Sequence, residues 1–64
     1  MITIKNKYAA KVYKYIYIHD GETILNKDIM EFTGFCQDTV IKYIHWLEKR
    51  ELILKRGKHY EIIN

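Results

Sequence analysis

From Tyr8 onward the apolar residues recur with the period of a helix. At about 100° per residue, Tyr8, Ala9, Val12, Tyr15, Ile16 and His19 fall on one face. The spacing predicts a helix over 6–20, stopped by Gly21. Within it "YIYI" alternates as a strand would, but the helical pattern is longer and prevails. Thr23 to Leu25 reads as a brief strand, after which Asn26 is expected to cap a second helix, Lys27 to Thr33. That helix is expected to bury Ile29 and Phe32, with Asp28 in its first turn suiting the dipole. Gly34 supplies a turn tolerant of positive φ, Phe35 is expected inside, and a third helix opens near Cys36 and runs to about Arg50. Val40, Tyr43, Ile44 and Leu47 lie on its core side, and Asp38, Lys42, His45 and Lys49 lie opposite. So short a turn forces the second and third helices to cross steeply. Finally "LILKR", Gly57 and "HYEII" carry the signal of a β-hairpin. The predicted fold is mainly α with a small β-hairpin: three helices, a two-stranded hairpin, and a short third strand at Thr23 to Leu25.

The 64 residues make a single domain, 1–64. At this length folding buries only roughly 60% of the surface of the unfolded chain, so a partner or ligand is an expected source of added stability. Cys36 is the sole cysteine, which excludes an internal disulfide and points to a reducing compartment. No signal peptide is read, and no apolar run approaches the ~20 residues needed to span a bilayer, so a cytoplasmic protein without membrane contact is expected. The net charge of +3 and a pI near 9.0 lean toward a polyanionic partner. The cations gather in two groups, Lys5, Lys7, Lys11 and Lys14 near the start and Lys55, Arg56 and Lys58 near the end. The first group does not share one helical face and reads mainly as a solvated surface.

Nothing in the chain points to catalysis or to a cofactor. His19, His45 and His59 lie on three different elements, and neither a metal-ligand spacing nor a glycine-rich phosphate loop occurs. Cys36 has no base that the sequence places beside it, and it reads as a buried or capping residue.

The run "TGFCQDTVIKYIHWLEKRELILKRGKHYEI", about half the chain, resembles a winged helix-turn-helix domain of the kind found in small transcriptional regulators of phages, plasmids and archaeal viruses. Gly34, Phe35, Cys36, Thr39, Val40, Ile44, Leu47, Glu48, Leu52 and Ile53 carry the resemblance. Two positions depart from the pattern. Cys36 replaces a small hydroxyl cap, and Glu51 stands where glycine is common; a positive φ there would strain the glutamate, so a turn of another shape is expected.

The resemblance implies a sequence-specific double-stranded DNA-binding regulator, most readily a repressor. Its recognition helix, 37–50, would enter the major groove, with the wing, 54–60, against the backbone or minor groove. Gln37, Asp38 and Thr39 occupy the first turn, where Gln37 can pair adenine and Asp38 can accept from cytosine N4 or simply favour the helix dipole. Lys42, His45 and Lys49 face the groove, and Lys55, Arg56, Lys58 and His59 surround the hairpin tip.

A second apolar strip complicates the first helix. Ala10, Tyr13 and Tyr17 follow one another at i, i+3 and i+7 on the side away from the core. They predict a homodimer through that helix, with "MITI" at the start adding strand pairing; the competing reading packs the tyrosines at the rim of the monomer. The competing function is a winged-helix protein-interaction module or a nucleoprotein component in replication or segregation. It rests on Ile41 and Trp46, which flank the groove-facing surface, although Trp46 can also pack within the domain. RNA binding has least support, because no stacked aromatic platform is visible along the chain.

Overall fold

Asn6 caps the first helix: its side-chain oxygen accepts from the amides of Tyr8 (3.0 Å) and Ala9 (3.1 Å). The structure is a computed structural model that describes residues 4–63. The strand pairing expected of "MITI" falls mainly on residues 1–3, outside the described residues. Three helices, α1 (Lys7–Ile18), α2 (Asn26–Thr33) and α3 (Gln37–Lys49), precede an antiparallel hairpin of β1 (Ile53–Arg56) and β2 (His59–Ile62). The fold is therefore mainly α with a small β-hairpin, and its layout is compatible with a winged helix.

Every element contributes to one core. Ala9, Val12 and Ile16 enter from α1, Ile29 from α2, Val40, Ile44 and Leu47 from α3, and Ile53 and Tyr60 from the hairpin, with Ile24 beneath them. Burying each of the larger aliphatic side chains stabilises the fold by about 1.5–3 kcal/mol. The predicted apolar faces are correct at their centres and too wide at their edges. Tyr8 is exposed, Tyr15 and His19 are half-buried, and Phe32, expected inside, is 48% exposed against the ring of Tyr15 at 5.1 Å. The stripe of so short a helix as α2 is narrow: Ile29 is its one fully buried residue, and Met30 packs against the core partly buried. Phe35 and Tyr43 are likewise half-buried at the margin of the core.

Helix ends also moved. The N-cap of α2 is Leu25, not Asn26, because the Leu25 carbonyl already accepts from the amides of Asp28 (3.0 Å) and Ile29 (3.4 Å). Asp28 returns a carboxylate to the Leu25 amide at 3.3 Å, which is half of a capping box, since leucine has no acceptor of its own. This early start leaves little chain for the expected third strand. Thr23 pairs with His59 as an isolated bridge, helped by bonds from Ile24 N–H to the Lys58 carbonyl and from Gly21 N–H to the Tyr60 carbonyl. Asp20 joins the two regions by accepting from the Ile62 amide at 3.2 Å.

The end of α3 overturns one expectation. Glu51 holds φ +58°, so the turn keeps its left-handed shape despite the missing glycine. Its amide donates to the Glu48 carbonyl (2.9 Å) and the next amide, Leu52, donates to the Leu47 carbonyl (3.0 Å), the paired bonds of a Schellman motif. These bonds, with Leu52 packed against the core, hold the strained residue in place. Gly57 opens a two-residue hairpin loop at φ +62° while Lys58 stays negative, the φ signs of a type II′ turn.

Candidate nucleic-acid interface

The face of α3 turned from the core carries Gln37, Asp38, Lys42, His45 and Lys49, all exposed. Asp38 in the first turn and Lys49 in the last each suit the helix dipole. Thr39 differs from its expected place: it is half-buried, and its hydroxyl lies 3.2 Å from the Cys36 sulfur. Cys36 occupies the N-cap position exposed, with no side-chain bond closing the cap. The Thr39 hydroxyl, followed by first-turn amides, holds its thiol below the ordinary range.

Strand alternation separates the hairpin cations that the sequence placed side by side. Lys55 lies opposite Tyr60 on the face turned to the helices, whereas Arg56 and His59 form a cross-strand pair on the other face. On that outer face the Arg56 guanidinium donates to Glu61, so this arginine is held by a carboxylate. Lys58 sits in the loop, and Lys55, Arg56 and Lys58 are exposed while His59 is half-buried.

The groove between α3 and the hairpin unites part of this set. A concavity of about 310 Å³ is lined by Ile41, His45 and Glu48 on one wall, Lys55 and Tyr60 on the other, and Asn26 at the end. Burial first, then the Glu48 carboxylate, raises the pKa of the Tyr60 phenol. Gln37, Asp38, Lys42 and Lys49 lie outside this groove, on the convex side of α3.

Both shoulder residues are half-buried rather than fully exposed. Ile41 is half-buried in the groove wall, and Trp46 packs against the core with the Arg50 guanidinium 4.1 Å above its ring. Arg50 was overlooked as a cation of this surface; its i, i+4 spacing from Trp46 was the available signal. On α1, Ala10 and Tyr13 are half-buried, with Tyr13 packed on the core, and Tyr17 is 61% exposed with its ring 6.1 Å from that of Tyr13.

A second grouping escaped the sequence altogether. Tyr8 of α1, Phe35 of the α2–α3 turn and Tyr43 of α3 form a triangle of rings, with Lys11 and Lys42 above two of them. Among the described residues no group of three or more His, Cys, Asp or Glu side chains is placed to hold a metal ion, and no helix is long and apolar enough to cross a membrane. Compared with protein-family models, with curated proteins and with solved structures, the chain has no match in any of the three.

Proposed function

We propose that this protein is a small winged helix-turn-helix regulator that binds double-stranded DNA in the cytoplasm and represses by occupying its site. The observation that carries the reading is that His45 of α3 and Lys55 of the hairpin form opposite walls of one groove. A helix able to enter a major groove thus stands beside a cationic hairpin able to follow the adjoining backbone. The polar convex face of α3 supports direct readout by Gln37, Asp38, Lys42 and Lys49, with His45 at the groove wall beside them. Thr39, tied to Cys36, contributes less than its position in the first turn suggested.

The partner that completes the unit is a second copy. Tyr17 and the neighbouring Ile18, 61% and 54% exposed, leave apolar surface on α1 that a two-fold contact would cover. Two copies would set two recognition helices roughly 10 bp apart on a near-palindromic site.

A mobility-shift assay against genomic fragments at two salt concentrations tests the proposal. Selective retention of the fragment upstream of the protein's own gene is expected, with a log-log salt slope of roughly −4 to −5 per bound unit. Absence of retention even at low salt overturns it and leaves the protein-interaction module as the reading to pursue.

A further inference from the structure

We infer that the face formed by Tyr8, Phe35 and Tyr43 takes a segment of single-stranded nucleic acid, with an unpaired base stacked on Tyr8. The three rings come from three different parts of the chain and touch one another: centroids are 5.6 Å apart for Tyr8 and Phe35, 6.0 Å for Tyr8 and Tyr43, and 6.4 Å for Phe35 and Tyr43. Phe35 and Tyr43 anchor the triangle at the core margin, while Tyr8 stays 55% exposed. An exposed aromatic ring steadied by partly buried aromatic neighbours can serve as a stacking platform.

Charge selects the class of ligand. The Lys11 ammonium lies 5.8 Å from the Phe35 ring centre and that of Lys42 lies 5.5 Å from Tyr43, and Lys7 adjoins Tyr8 in the first turn of α1, which contains no acid. Among the described residues none of these three lysines has a carboxylate within salt-bridge distance; Asp38 is the nearest acid along α3. An apolar protein surface would meet unpaired cations here, whereas a nucleic acid strand supplies phosphates to the lysines and a base to the ring. A duplex keeps its base faces stacked internally and cannot use Tyr8 in this way. This inference goes beyond duplex recognition and shares with it only Lys42.

Fluorescence anisotropy tests it with the full chain and two labelled single strands of about twelve nucleotides, a typical site length for such platforms. One strand is oligothymidine; the other has the same phosphates and abasic sugars. The wild type is expected to bind oligothymidine at least about five-fold more tightly at equal salt, the low end of one stacked base. Tyr8→Ala, and equally Tyr8→Leu, which keeps apolar contact with Phe35 and Tyr43, should remove that preference and leave abasic binding unchanged. Lys11→Gln should weaken both strands alike. Equal wild-type affinity for the two strands, no binding of either, or full preference in folded Tyr8→Leu overturns the inference. Replacing both Lys55 and Lys58 by alanine should lower duplex binding and leave the oligothymidine preference intact, so the two readings can fail separately.

Discussion

Glu51 is the residue at which local strain and helix termination meet. A non-glycine residue in the left-handed region costs about 1–2 kcal/mol, partly offset by the extra unfolded-state freedom of the glycine that would replace it. Glu51→Gly is expected to stabilise the protein by about 0.5–1 kcal/mol, read as a rise of several degrees in thermal midpoint by circular dichroism. An unchanged or lower midpoint would mean that the glutamate side chain compensates for its backbone. Tyr60 gives a test in pH. Burial and Glu48 raise its folded pKa above the unfolded value of about 10, so the unfolded phenol loses its proton first. Its contribution to stability is complete below about pH 10 and is lost as pH rises through the folded pKa. Tyr60→Phe should flatten part of that alkaline decline in urea unfolding; the raised phenols of Tyr13 and Tyr15 leave the remainder. An identical decline in the variant would contradict this account. Glu51 was partly readable beforehand, marked by the absent glycine, but its φ depended on the turn bonds to the Glu48 and Leu47 carbonyls that only the folded turn supplies; the burial of Tyr60 was not read from the sequence.

Each helix was legible because its apolar period is a local property. Val12 with Ile16, and Val40 with Ile44 and Leu47, sit where their spacing put them. Edges were less legible, since whether Tyr8 or Phe32 is covered depends on what other elements leave open. The hairpin was expected from Gly57, yet its cations could not be assigned to faces without the register. That register yields a prediction for the element. Lys55, on the groove side, is expected to lower duplex affinity at all sequences when replaced by alanine and to reduce the salt slope by about one. Arg56→Ala should cost less, because Glu61 already neutralises that guanidinium in the free protein. Titrations of both variants at several salt concentrations check the order, and a larger loss for Arg56 would indicate that it leaves Glu61 on binding.

At the level of the molecule, small size makes the uncovered surface of α1 consequential. With Tyr13 already packed against the core, Tyr17 and Ile18 carry the dimer proposal. Sedimentation at high micromolar concentration is expected to give a dimer and Tyr17→Lys a monomer of unchanged helicity; a monomeric wild type removes the proposal. The chain's periodicity and turn residues were enough to specify three helices, a hairpin and the centre of the core, because those depend on neighbours within a few residues. Folding settled what depends on distant residues meeting. It brought Lys55 of the hairpin across a groove from His45 of α3, and assembled Tyr8, Phe35 and Tyr43 into one surface. Those juxtapositions arise from packing the helices and the hairpin around one core, and no local spacing encodes them.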